Sequence, residues 1–302
     1  MNWLTSKKII LTHSGSFHPD DVFAVALLSI ILKGRIKITR SREEQFLADA
    51  DFVLDTGHVY NPDTNRFDHH QEGNAGFRDE KISYSTFGLV WKKYGEQVCG
   101  SKKVADILDQ KLVQIIDADD CGVMVHKDVF PNIHPFLMTD AIYACRPTWK
   151  EDGDKIDEYF VKAVDLAKII LIREIKIAQD NVEAEVLVAE MYKKAKDKRV
   201  VVFDDERYFL PKELLCAYPE PLFAVYKDRM RKMWRIVTIR KEETNLEVRK
   251  NFPQAWWGKR DADLVKVTGI SDAVFCRNQG IFAGVTSKEG AIRLAELALI
   301  QD

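Results

Sequence analysis

Short apolar segments that stop at acids or imidazoles recur through the first 120 residues or so, and this alternation constrains the fold more than any other feature. Lys8 to Thr12 reads as a buried strand and Asp20 to Leu32 as a buried helix, apolar on nearly every side. Arg35 to Thr39 alternates like a strand, Ser41 with Glu44 fits a capping box, and Asp51 to Asp55 reads as the next strand. Strand and helix in alternation predict a parallel α/β sheet. Such sheets carry their sites beyond the carboxyl ends of strands, where His13 and Asp55 fall.

An Asn-Pro-Asp-Thr-Asn turn at 61–65 then delivers Asp68, His69 and His70. Tyr84 to Tyr94 and Lys102 to Ile116 read as helices, the second ending at Asp117. From Asp154 to about Lys196 residues such as Ile156, Phe160, Ala163, Ala167 and Leu171 keep helical spacing, which predicts one or two long linking helices. After Arg199 the texture turns strand-like at Val200 to Phe203, Leu222 to Tyr226, Trp234 to Ile239, Ala273 to Cys276 and Ile281 to Ala283, closing on a helix from Ser287. With 302 residues, 46% hydrophobic and 30% charged, the chain is long enough for two packed cores. The expected class is α/β: a parallel-sheet domain over 1–150, a helical linker over 151–198 and a smaller α/β domain over 199–302.

Forty-five basic against 47 acidic residues leave a formal charge of -2. No whole-molecule field draws such a chain onto nucleic acid or anionic lipid, so any polyanion must bind locally. Five cysteines without a C-x-x-C pair argue against a zinc ribbon and a disulfide framework. The longest apolar run, Val22 to Leu32, is far short of the roughly 20 residues of a membrane span. The amino terminus has neither a signal nor a transit pattern, so the cytoplasm is the expected compartment and no membrane partner is expected.

Four polar clusters mark successive segment ends: Thr12 to Asp21 (T-H-S-G-S-F-H-P-D-D), Val53 to Gly57 (V-L-D-T-G), Arg66 to Gln71 (R-F-D-H-H-Q) and Ile115 to Gly122 (I-I-D-A-D-D-C-G). A carboxylate beside two imidazoles is a costly grouping that metal ions justify. A carboxylate-bridged pair of divalent ions generates hydroxide near neutral pH and neutralises a phosphate on its attacking and leaving sides. Mixed Asp and His donors suit manganese, magnesium, zinc or iron; Mn2+ is expected ahead of Mg2+ because several imidazoles are present. His18 and Asp20, two apart and close to His13, can face one ion, while Asp21 gains from the positive helix end; either acid also reads as an N-cap. Asp55 is the natural bridging carboxylate, or a turn former before Thr-Gly. Of His69 and His70, one can ligate while the other orients or protonates a phosphoryl oxygen. Asp117 can supply the last carboxylate, whereas Asp119 and Asp120 read as solvent-facing or capping.

With R-P-T-W at Arg146 to Trp149 and F-A-G-V-T-S-K-E-G-A at Phe282 to Ala291, these motifs make the chain resemble the DHH phosphoesterase superfamily, named for the Asp-His-His seen here as Asp68, His69 and His70. Within it, the ordered set looks like the family of the melanocyte proliferating gene product, over nearly the whole chain. The resemblance implies a metal-dependent phosphodiester hydrolase, with 3′-to-5′ exoribonuclease activity the role of eukaryotic relatives. It also implies His13, His18, Asp20, Asp55, His69 and Asp117 on metal positions, and His70 on a substrate-phosphate position. Two departures are visible. Asp20 and Asp21 are adjacent, with His18 taking part, where the superfamily spaces two aspartates by one residue; Arg277, Asn278, Gly280 and Gly284 stand where it has a glycine-rich, histidine-ending signature.

Lys227, Arg229, Arg231, Lys232, Arg235, Arg240 and Lys241 face a single acid, Asp228, in one stretch that also holds Trp234. Such a strip tracks a nucleic-acid backbone, or simply solvates one face of a strand. Arg235, Arg277, Arg146 and Ser287 are the candidate substrate contacts beside His70. Arg146 either clamps a phosphate or pairs with an acid on the linker helix. Ser287 either offers a phosphate the positive end of a helix or caps that helix. The expected reaction is in-line hydrolysis at the 3′ end of a short RNA, with Asp55, His69 and His70 as catalytic residues and two Mn2+ or Mg2+ ions. The alternatives are hydrolysis of a small phosphate compound, a dinucleotide or pyrophosphate, and a non-catalytic metal-dependent regulatory protein.

Overall fold

Val22 to Leu28 are buried all round, and a helix of that kind needs a sheet on one side and further helices on the other. The computed structural model, which describes residues 6–78, 81–204, 211–228, 230–242 and 246–301, supplies both; Arg229 of the basic strip lies outside the described residues. The elements β1 (Lys8–Thr12), α1 (Pro19–Ile31), β2 (Ile36–Arg40), β3 (Phe52–Leu54), β4 (Tyr60–Asn61) and β5 (Arg66–Phe67) give a sheet in the order β2-β1-β3-β5-β4. β1 pairs parallel with β2 and β3, and β3 with β5, while the short β4 runs antiparallel to β5. The carboxyl ends of β1, β3 and β5 therefore open on one edge, with β3 at the centre. Ser41 does not cap a helix: its hydroxyl accepts the Glu43 N–H ahead of a single 3-10 turn.

Against α1 pack α2 (Thr86–Cys99), stopped by Gly100 in the left-handed conformation, α4 (Gln114–Asp120) and α5 (Met138–Tyr143), with α3 (Lys102–Leu108) beside α2. A wide π turn, Asp109–Val113, joins α3 to α4. The helix expected to end at Asp117 thus runs on to Asp120. α6 (Ile156–Lys194) is one helix of 39 residues, about 58 Å long. Two compact units result, one ending at Asp180 and the other starting at Asn181, and α6 runs through the boundary.

The second unit contains β6 (Val200–Phe203), α7 (Pro211–Leu215), β7 (Phe223–Asp228), β8 (Met233–Thr238), α8 (Asp261–Thr268), β9 (Ala273–Cys276), β10 (Phe282–Val285) and α9 (Lys288–Ile300). Its sheet, in the order β6-β7-β8-β10-β9, is parallel between β6 and β7 and antiparallel elsewhere. The period-two pattern of β7 divides two cores. Phe223 and Val225 join Phe252, Trp256, Leu264 and Leu294 on one face, while Ala224 and Tyr226 join Val188, Val201, Phe203 and Leu215 on the other. No helix among the described residues is long and apolar enough to cross a membrane.

Candidate metal centre

Each parallel strand ends by handing a polar side chain to the same edge. β1 stops at Thr12, and His13 beyond it is 1% exposed. Pro19 sets the first turn of α1, and the Asp21 carboxylate accepts the His18 N–H at 2.9 Å, holding two acids at the positive end of that helix. β3 stops at Leu54, and Asp55 follows with φ of 53°, a left-handed conformation that aspartate adopts more readily than most residues. The Asp55 N–H bonds the Phe67 carbonyl at 3.0 Å, so its side chain lies between the loops that follow β1 and β5. Asp68, fully buried, accepts the backbone N–H groups of His58 at 2.6 Å and His70 at 3.0 Å and lies 2.8 Å from His70 Nδ1. It ties the loop together. The last turn of α4 brings Asp120.

Asp55 sits in the middle of the group. One of its oxygens lies 3.2 Å from His13 Nε2, and the other lies 3.2 Å from His69 Nε2 and 3.4 Å from His70 Nδ1. His13 Nε2 is also 3.2 Å from Asp21 Oδ2, and His69 Nε2 is 3.4 Å from Asp120 Oδ2 and 3.8 Å from Asp20 Oδ2. Close approach has not produced hydrogen bonds here: His13 Nε2, His69 Nε2, Asp20 Oδ1 and Asp21 Oδ2 are buried and have no partner. Each such orphan costs about 1–3 kcal/mol. Several at one spot mark a missing common partner.

The electrostatics are strained in the same sense. Burial opposes charge on His13, yet the Asp21 and Asp55 carboxylates outweigh it and hold its pKa up to about 10. Burial also opposes the charge on Asp55, but His13 and His69 hold its carboxyl well below the usual range. Burial, then the charges of Asp55, Asp120 and Asp21, push Asp20 well up, and burial first of all lifts Asp120 to about 6. Burial depresses His18. Cations fit this arrangement. Donor atoms of His13, His18 and Asp55, of Asp55, His69 and His70, and of Asp20, His69 and Asp120 each lie within 4.8 Å of one another. Two oxygen or nitrogen atoms about 2.1 Å from one ion at a right angle lie about 3 Å apart, close to the spacings seen. Beside the group is a cavity of about 590 Å3, lined by His18, His69, His70, Asn74, Asp120 and Tyr143 among others.

The family model MYG1_exonuc, described as an uncharacterised protein family (UPF0160), matches residues 9–299. The chain belongs to this family. It is 27% identical to the MYG1 exonuclease of Mus musculus, over 99% of this chain and 87% of the mouse protein. It is 29% identical to the MYG1 protein C694.04c of Schizosaccharomyces pombe, over 96% of this chain and 97% of the yeast protein. Among solved structures it is similar to a pGpG-specific phosphodiesterase from Vibrio cholerae, at 16% identity and a TM-score of 0.33, covering 97% of this chain and 98% of that one.

In this MYG1-family chain the structure brings together His13, His18, Asp20, Asp55, His69 and His70, but leaves Asp117 outside. Asp117 is fully buried, with one oxygen taking the Ser85 N–H at 3.2 Å and hydroxyl at 2.5 Å, and the other taking Arg78. Its bonding capacity goes to those groups, and Asp120, three residues on, meets His69 instead. Sequence reading missed Asp120 because an acid near a helix end looks like ordinary surface; only the phase of the helix separates the two. Arg146 meets no acid of the linker helix among the described residues: its guanidinium binds the Phe17 carbonyl through Nε and Nη2 and stacks 4.3 Å from the Tyr143 ring, bracing the loop that carries His18. Ser287 caps α9, its hydroxyl accepting the Gly290 N–H at 2.9 Å, while Asp272 accepts the Ser287 N–H at 2.7 Å. A carboxylate of the chain itself thus occupies the place an incoming phosphate would take. In the same unit Arg235 pairs with Asp228 at 2.5 Å. Arg277 is exposed, its guanidinium 5.5 Å from the centre of the Phe282 ring.

Proposed function

We propose that this chain is a phosphodiester hydrolase that works with a pair of divalent cations, Mn2+ or Mg2+, on the 3′ end of short or single-stranded RNA. The observation that carries the reading is Asp55 between His13 and His69, one oxygen toward each, with both Nε2 atoms buried and unpartnered. His13, His18 and Asp55 would hold one cation; Asp55, His69, Asp20 and Asp120 would hold the other. Bound there, divalent ions supply activated water and neutralise the charge on a phosphate. His70 acts on the substrate. Its hydrogen bond to Asp68 is the first cause of its raised pKa, and it turns a half-exposed ring toward the cavity as a donor to a phosphoryl oxygen. The exonuclease names of the mouse and human relatives support a nucleic-acid substrate.

A surface within the second unit favours a strand over a small phosphate compound. A groove of about 790 Å3 is lined by Arg235, Arg240, Lys241, Arg249 and Arg277, with Glu247 the acid among its walls. Among the described residues, Arg240 and Arg277 have no ion-pair partner. Arg235 and Arg277 each place a guanidinium 5.5 Å from the Phe282 ring. Cations beside an aromatic ring suit a backbone with stacked bases. The test is release of nucleotides, with and without Mn2+, from RNA and DNA labelled at either end and from a dinucleotide in parallel. The expected result is loss of the 3′ label from RNA first, and none of it after Asp55→Ala. Cleavage confined to the dinucleotide replaces the substrate class, and cleavage undiminished in Asp55→Ala overturns the site.

A further inference from the structure

The acids of the cluster are held from behind by residues that do not line the cavity beside it. α2 is 14 residues long, and its first N–H groups need acceptors. The N-cap Ser85 does not cap with its side chain; both its hydroxyl and its N–H go to Asp117. Thr86, fully buried, donates its N–H to Asp20 Oδ2 at 3.2 Å and lies with its hydroxyl 3.1 Å from Asp55 Oδ1. One residue therefore touches two carboxylates of the cluster, from α1 and from the end of β3. Behind it, Asp117 binds Arg78, whose remaining N–H groups grip Asp109 at 2.8 and 2.9 Å. Gly88 leaves room for this contact, since a Cβ there would overlap the Asp117 carboxylate.

We infer that Thr86 is a positioning residue for the cation site: it fixes the rotamers of Asp20 and Asp55, and the Arg78–Asp117 pair fixes Thr86. The inference rests on the cation reading given under Proposed function. With the Thr86 amide on Oδ2 of Asp20, the other oxygen, Oδ1, stays buried and without a partner in the chain. Groups that orient ligands in this way typically change metal affinity by about 10–100-fold. Asp117 accordingly acts through Ser85 and Thr86 and touches no cation.

The test is calorimetric titration of the full metal-free chain with Mn2+, alongside its thermal midpoint without metal. Thr86→Val removes the hydroxyl and should weaken Mn2+ binding about 10–100-fold, while Thr86→Ser restores it. Asp117→Asn should weaken binding in the same direction and serves if Thr86→Val does not fold. Wild-type affinity in folded Thr86→Val and Asp117→Asn overturns the inference while leaving the cation site standing. Absence of Mn2+ binding to the wild-type chain overturns both.

Discussion

Two junctions between strand and helix in this molecule carry acids at a helix amino end, and they are finished differently. At the start of α9, Asp272 accepts from Ser287 and Thr286, Ser287 caps Gly290, and every one of those groups is used. At the start of α1, Asp20 and Asp21 each keep a buried oxygen without a partner, and His13 and His69 nearby each keep a buried nitrogen without one. Both bring aspartate oxygens to the first turn of a helix. What separates a cap from a candidate ligand set here is leftover bonding capacity: buried polar atoms of His13, Asp20, Asp21 and His69 gather at one place without partners.

The sharpest way to break this contrast is at its centre. Asp55→Ala should take Mn2+-dependent hydrolysis to background and remove the tighter phase of Mn2+ binding, measured by calorimetry; retention of both would mean the open junction is no more functional than the closed one. Next comes the pair three residues apart in α4. Asp120→Asn should weaken Mn2+ binding more than Asp117→Asn, yet raise the stability of the metal-free chain, because burial already disfavours that carboxylate. Asp117→Asn should lower stability by about 1–3 kcal/mol in urea unfolding, since it leaves Arg78 and Ser85 short of an acceptor. Equal effects of the two would erase the distinction between ligand and brace.

Smaller effects are expected in the second unit. Reversing Arg240 and Arg277 together to Glu should weaken binding of single-stranded RNA about tenfold in EDTA and flatten its salt dependence by one to two units of slope, roughly 0.7 for each phosphate no longer neutralised. Smallest of all is Asp272→Ala, at about 1 kcal/mol near neutral pH, read by chemical denaturation. Burial works to raise the Asp272 pKa, but its bonds from Ser287 and Thr286 outweigh that and lower it. Its contribution is therefore present above the ordinary carboxylate pKa and disappears as pH falls through the depressed one, so the variant and wild type should converge once pH is below the ordinary carboxylate range.

Much of the architecture was legible because local pattern and tertiary fold agree. Val200–Phe203 and Ala273–Cys276 are strands at the residues their pattern predicts, and the polar ends of β1, β3 and β5 meet as parallel topology requires. The gathering of His13, His18, Asp20, Asp55, His69 and His70 was readable for the same reason. What escaped reading depends on partners that carry no sequence signal. Arg146 is spent on the backbone carbonyl of Phe17, 129 residues away. Asp272 reaches Ser287 only because β9 and β10 are neighbours. That Asp120, and not Asp117, meets His69 depends on helix phase, which no count of apolar residues fixes.

That phase comes from the π turn at Asp109–Val113. An extra residue in a helix rotates everything after it by about 100°, so chain length at this turn sets which partner each of Asp117 and Asp120 meets. Losing a single codon there would swing Asp120 off its histidine while every side chain downstream stayed the same. A deletion of one residue in that turn would therefore act on this centre as the loss of a side chain does, with no side chain removed.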